Sequence, residues 1–337
     1  MNRLASTIRP TTMQVRTETW ALKKPFRITG STIDEFDVLV LTLGQGGLTG
    51  RGEAIGVSYR GETLATMAAQ LEALRPQIES GQGRLAQREL GIGGARNALD
   101  CALWDLEAKA VGRPVWQLAG LETLRPLLTT FTLGADTPAE MAAGAAAWPQ
   151  AQALKLKLLG DEDDAARVRA VRAMRPDVWI GVDANRGFTL DSLAALLPTL
   201  VDARVQLVEQ PFALGRDADL DGLDCPIPIA ADESIQGLED LERIGNRWDV
   251  INIKLDKCGG LTEGLEMARL AKRMGRRAMV GTMGGTAMAM APGCVVGQLC
   301  EVVDLDGPAL LRQDRQPGAH YADGQVWCAE AVWGGAA

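Results

Sequence analysis

The feature that most limits the fold of this chain is a rhythm. From Leu127 onward, short apolar segments able to form β-strands recur at 128–133, 153–158, 179–183, 205–209, 227–232, 250–254, 278–282 and 301–304. Alanine- and leucine-rich amphipathic stretches, such as 163–174 and 261–274, separate most of them. Strand and helix in alternation imply a parallel sheet, because parallel neighbours need a crossover connection. Eight such strands predict a closed α/β barrel. The connection after the fourth strand is short and no full helix follows the eighth. The expected fold is therefore a modified TIM barrel, (β/α)7β. An open doubly wound sheet is the runner-up, weakened by the lack of a G-x-G-x-x-G turn after the first strand.

Upstream the pattern differs. Residues 11–56 read as antiparallel strands with a Gly44-Gln45-Gly46-Gly47 turn, followed by a glycine-rich loop, 56–61, that carries Tyr59 and Arg60. Helices are expected over 63–78 and 94–111, the second stopped by Gly112-Arg113-Pro114. With 337 residues, 47% of them hydrophobic, the chain has material for two domains and a sizeable core. The division expected is an α+β domain over 1–120, the barrel over 121–310, and a segment, 311–337, returning to the first domain.

Net charge is −8, which argues against nucleic acid or an anionic membrane as partner. Residues 1–13 are polar, without the apolar stretch of a secretory signal, and no apolar run reaches transmembrane length. Six cysteines lack C-x-x-C spacing and read as reduced thiols of a cytoplasmic protein. A single histidine, His320, all but excludes Ser-His-Asp chemistry and any multi-histidine metal site.

In a barrel, chemistry sits at the C-terminal strand ends. There the chain places Lys157, Asp183, Glu209, Asp232 and Lys254, at successive separations of 26, 26, 23 and 22 residues, each about one βα unit. Lys155 precedes Lys157 by two and so shares its strand face. Repulsion between the two ammonium groups is expected to lower the pKa of at least one, leaving a neutral amine able to act as a base. Singly, each carboxylate reads best as a surface ion pair. Three in phase at one mouth repel one another, and a hard divalent cation such as Mg²⁺ relieves that. Asp183, Glu209 and Asp232 are the expected metal ligands. Glu233 is set aside because strand alternation turns it to the opposite face, Asn185 is placed to hold a metal-bound water, and Lys257 is expected to be an exposed loop residue.

These residues, with the segment Gly94-Ala95-Arg96-Asn97-Ala98-Leu99-Asp100-Cys101-Ala102-Leu103-Trp104-Asp105, resemble the enolase superfamily, subgroup of muconate-lactonising-enzyme type. The resemblance covers nearly the whole chain. It implies that the N-terminal domain is a capping domain. It also implies Mg²⁺-assisted abstraction of a proton beside a carboxylate, with Lys157 and Lys254 as bases on opposite faces of one carbon and Lys155 in support. Asp304 and Asp306, two apart before Gly307-Pro308, resemble the pair with which dipeptide epimerases of the subgroup hold the substrate's α-ammonium. The implied activity is epimerisation at the second residue of a dipeptide, L-Ala-D/L-Glu among the candidates, by an isomerase whose relatives are commonly homo-oligomers.

Specificity is expected from the capping loops, a mobile one at 24–31 and another at 58–61. The L-Ala-D/L-Glu epimerases place a cation in the first loop for the glutamate side chain, and here that loop is one residue shorter. Arg27, Lys24 and Arg60 are the cations available, and each reads equally well as a solvated charge. Thr282 is a further substrate-binding candidate, and Gly284 and Gly285 after it are expected to leave room for a larger substrate. Competing readings are a cycloisomerase or o-succinylbenzoate synthase on the same lysines and metal, a Schiff-base aldolase on a TIM barrel, and a non-catalytic binding protein.

Overall fold

The computed structural model describes residues 9–336, the side chains of residues 84, 85 and 88 excepted. Part of the polar N-terminal stretch therefore lies outside the described residues. Three long antiparallel strands open the fold: β1 (Thr12–Ile28), β2 (Ser31–Gln45) and β3 (Leu48–Ala54). The centre of β2 is continuously apolar because both of its faces are covered. Leu39, Leu41 and Leu43 pack with Leu99, Leu103 and Leu106 of the helix Gly94–Val111. Val38 and Val40 point the other way, into the core shared with the barrel. The helix lies almost on β3. A Cβ at Gly50 would meet Ala102 O at 2.2 Å, and one at Gly52 would meet Ala98 O at 2.1 Å.

The expected loop at 24–31 is instead the tip of the β1–β2 hairpin, with Ile28 paired to Ser31 across Thr29-Gly30. The expected helix over 63–78 is continuous only over Leu64–Ala73. Thr63 caps its start, and Arg75-Pro76 begins a separate short turn because proline cannot donate to the helical ladder.

Eight parallel strands then follow in strict order around the barrel: Thr130–Leu133, Ala153–Lys157, Trp179–Asp183, Leu207–Glu209, Ile229–Ala231, Val250–Lys254, Arg277–Gly281 and Val302–Val303. Only a 3₁₀ turn, Asp217–Leu220, covers the fourth connection, and a four-residue helix, Gly307–Leu310, follows the eighth strand. The architecture is thus the (β/α)7β barrel with an α+β domain at its mouth. Side chains stitch the seam between the first and eighth strands. Leu305 N–H donates to Thr129 Oγ1 at 3.0 Å, Thr130 Oγ1–H to Asp304 at 2.5 Å and Thr132 N–H to Asp306 at 2.6 Å. No helix among the described residues is long and apolar enough to cross a membrane.

Beyond residue 310 the chain touches both parts: Gln325–Cys328 pairs with Leu127–Leu128 at the barrel, and other residues run back to the N-terminal domain. Leu311 bridges Leu22, and Arg315 reaches Glu18 at 2.6 Å and Glu53 at 2.7 Å. Trp333 Nε1–H donates to Arg51 O at 2.8 Å, and Gly334 N–H to Asp105 at 2.8 Å.

Candidate active site

Strand register delivers the polar residues of the barrel mouth side by side. Lys157 is the ladder partner of Asp183, and Asp183 of Glu209. Lys155 and Lys157 share the inner face of the second strand, as their spacing predicts, and both are buried. Lys155 Nζ lies 2.5 Å from Asp304, 3.0 Å from Glu209 and 3.3 Å from Asp183. Lys157 Nζ lies 2.6 Å from Asp183, and Lys254 Nζ 2.6 Å from Asp232. The second and sixth strands stand four places apart in a ring of eight, so Lys157 and Lys254 rise from opposite walls.

The carboxylates govern the charge of Lys155. Burial disfavours the Lys155 ammonium, but Asp304, Glu209 and Asp183 outweigh burial and hold its pKa well above the ordinary lysine value. Lys254 is likewise held high, Asp232 and Glu209 prevailing over burial. Repulsion between neighbouring lysines therefore does not set the charge of Lys155. Burial and the adjacent Asp183 push Glu209 up to about 7. Despite burial, Lys254 and Lys257 hold Asp232 below the usual carboxylate range.

Lys257 is not an exposed loop residue. It is 1% exposed and donates to Asp232 Oδ1 at 2.6 Å and to Asp232 O at 2.5 Å. The one-turn helix Leu255–Cys258 folds it back over the strand end, where i and i+3 share a face. Glu233 is not turned away either. The fifth strand stops at Ala231, so alternation no longer governs residues 232 and 233, and both line the mouth. Burial, with Asp232 adjacent, pushes Glu233 up to about 7. Asn252 is a site residue that sequence reasoning missed. Its Nδ2 donates to Glu209 Oε1 at 2.7 Å, and its place two before Lys254 was the available signal.

Among the described residues no three carboxylates are gathered around one point as a metal ion would require, since each is turned onto an ammonium. The donor chemistry nevertheless fits Mg²⁺. Asp183, Glu209 and Asp232 supply hard oxygens from adjacent strands, and the buried Asn185 Oδ1 and Glu233 Oε2 beside them have no hydrogen-bond partner. An ion cluster this large and this buried is a poor device for stability, because desolvation cancels much of the attraction. Chemistry is the better reason for it.

The mouth opens into a cavity of about 750 Å³ beneath the N-terminal domain. Asp304, Asp306 and Thr282 line it, as expected. Asp304 is held below its usual pKa despite burial, chiefly by Lys155, whereas burial and the neighbouring Asp304 push Asp306 up to about 6. Thr282 shapes its own turn, its hydroxyl donating to Gly284 O at 2.8 Å.

Arg27 and Arg60 do not reach the cavity. On β1, Phe26 and Ile28 line it, and alternation turns the 53%-exposed Arg27 outward, 3.7 Å from Asp136. Arg60 donates to Gln236 at 3.4 Å and Ile92 O at 3.2 Å, and Lys24 is exposed. Thr29, at the hairpin tip, docks on the barrel with its hydroxyl 3.0 Å from both Leu158 O and Ala184 O. The two glycines after Thr282 leave no free room. A Cβ at Gly284 would meet Phe36 at 2.7 Å, and one at Gly285 would meet Glu53 at 2.9 Å.

A parallel barrel whose strand ends gather lysines and carboxylates beneath an α+β cap defines the class of enolase-like barrel proteins. Residues 139–332 match the enolase C-terminal domain-like family model, and residues 10–120 match that of the mandelate racemase/muconate lactonizing enzyme N-terminal domain. The chain belongs to this family. It is 37% identical over 317 residues to the L-Ala-D/L-Glu epimerase of Escherichia coli K12, covering 94% of this chain and 99% of that one. An enolase family member from Agrobacterium tumefaciens with homology to dipeptide epimerases, solved with sodium and L-Ala-L-Glu, superposes with a TM-score of 0.92 at 40% identity, covering 96% of this chain and 99% of that chain. A dipeptide epimerase from Methylococcus capsulatus, solved with Mg and L-Arg-D-Lys, gives 0.87 at 31% identity, covering 95% and 97%.

Proposed function

We propose that the protein is a Mg²⁺-dependent dipeptide epimerase that inverts the α-carbon of the C-terminal residue by a two-base 1,1-proton transfer through an enediolate. The observation that carries this reading is the pair Lys157 and Lys254, buried on opposite walls of the barrel with Asp183, Glu209 and Asp232 between them. Asp183, Glu209 and Asp232 would hold the metal. When bound, it would supply positive charge against the negative charge that builds on the substrate carboxylate.

The chain's own residues do the rest. One lysine takes the α-proton from one face and the other returns a proton to the opposite face, which is what inversion requires. Lys155, fixed by Glu209 and Asp304, would give the substrate carboxylate a cationic partner. Asp304 and Asp306 offer anionic oxygens to the free α-ammonium, a compact cation that neither a cycloisomerase nor an o-succinylbenzoate synthase substrate presents.

The test is a dipeptide library incubated in D₂O with Mg²⁺. Deuterium should appear at the second α-carbon as that centre racemises. Lys157→Ala and Lys254→Ala should each lower epimerisation by at least about a hundredfold, while exchange of one stereoisomer's α-proton persists through the surviving base. Absence of α-deuterium from every dipeptide would sink the reading. Activity that survives EDTA, or a borohydride-trapped adduct, would point to a Schiff-base enzyme instead.

A further inference from the structure

Four cations line the cavity: Lys155, Lys157, Lys254 and Arg186. The three lysines belong to the ion cluster already described. Arg186 follows the third strand and stands apart from that cluster. Its Nε lies 3.1 Å from Glu233 Oε1, and its guanidinium sits over the Tyr59 ring, 5.1 Å from the centroid. Tyr59 is itself fixed to the barrel, its hydroxyl accepting from Gln236 Nε2 at 3.0 Å. Arg186 N–H donates to Gln210 O at 2.9 Å, and the residue holds φ at +70°, a conformation that costs an arginine energy and so favours a role for the placement.

The guanidinium is thus held by a carboxylate and by an aromatic face from the capping loop. A purely structural ion pair would satisfy its remaining donors. Here the Nε–Glu233 contact is an ion pair without hydrogen-bond geometry, no hydrogen bond runs from Nη1 or Nη2 among the described residues, and the side chain is 33% exposed. Those two groups form the planar fork that matches a carboxylate in a bidentate pair. Among the described residues the cap contributes no cation to the lining, which on its side is apolar, neutral polar or acidic.

We propose that Arg186 is the specificity-determining cation for a dipeptide whose second side chain carries a carboxylate, so that glutamate or aspartate, not a cationic residue, is the class accepted there. The proposal rests on the dipeptide reading above. Its test compares kcat/KM for L-Ala-L-Glu and L-Ala-L-Leu in wild type, Arg186→Met, Arg186→Lys and Arg27→Met. A charge-assisted pair predicts that Arg186→Met lowers the Glu/Leu ratio roughly ten- to hundredfold, through KM. Arg186→Lys should recover part of that loss, and Arg27→Met should move the ratio less than about twofold.

An unchanged ratio in Arg186→Met, an equal fall for both dipeptides, or a shift as large in Arg27→Met would overturn the assignment of Arg186 while leaving the epimerase reading intact. So would a wild type that prefers leucine. A wild type that turns over neither dipeptide overturns the assignment of Arg186, whereas the epimerase reading falls only if no dipeptide of the library gains α-deuterium.

Discussion

At the scale of single residues, the site depends on close approach. A Cβ at Gly281 would lie 2.8 Å from Asn252 Oδ1 and 3.1 Å from Lys254 Cε. Gly281→Ala should therefore displace the Lys254 stem, lowering kcat at least about tenfold while costing about 1–3 kcal/mol of stability. Steady-state kinetics beside a urea titration separates the two effects. Asp306→Asn should raise the dipeptide KM more than it changes Mg²⁺ affinity, as read by calorimetry with the metal alone. Asp306 is a cleaner probe than Asp304, which also anchors Lys155. Lys155, Lys157, Asp183, Glu209 and Lys254 were legible in the sequence because strand period and βα spacing repeat. Lys257 and Glu233 were not, because both lie past a strand end, where the next turn decides which way a side chain faces.

At the scale of elements, the one-turn helix Leu255–Cys258 ties the sixth strand to the cap. Asp256 Oδ1 accepts N–H groups of Ile55 and Gly56, each at 3.0 Å. Burial pushes its pKa up to about 6. For an acid raised on folding, the native state binds the proton more tightly than the unfolded chain does, so stability falls as pH rises from the unfolded value toward 6 and stays reduced above it. Asp256→Asn, which keeps an acceptor without the charge, should then gain on wild type above pH 6, by up to about 3 kcal/mol, and the gain should vanish near pH 4. Denaturant unfolding of both proteins across that range checks it. The barrel strands could be read from the chain, since buried parallel strands are short and apolar. The hairpin tip at 24–31 read as a loop because its pairing partner, not its own composition, makes it a strand.

At the scale of the whole molecule, the proposed metal should act on stability as well as on rate. A ligand bound by the native state alone at about a hundred times its Kd adds roughly 2.7 kcal/mol. Mg²⁺ should therefore raise the thermal midpoint of the wild type and not that of Asp183→Asn or Glu209→Gln, a difference that calorimetric scans without substrate will read. The docking of cap on barrel was the least legible part, since the residues that make it, such as Asp256, Thr29 and Arg315, carry no local pattern. Arg315, Trp333 and Gly334 reach back to Glu18, Arg51 and Asp105 across some 230 to 300 positions of chain. The N-terminal sheet, although it leaves the ribosome first, must therefore wait with its last hydrogen bonds unmade until residues 311–334 have been synthesised.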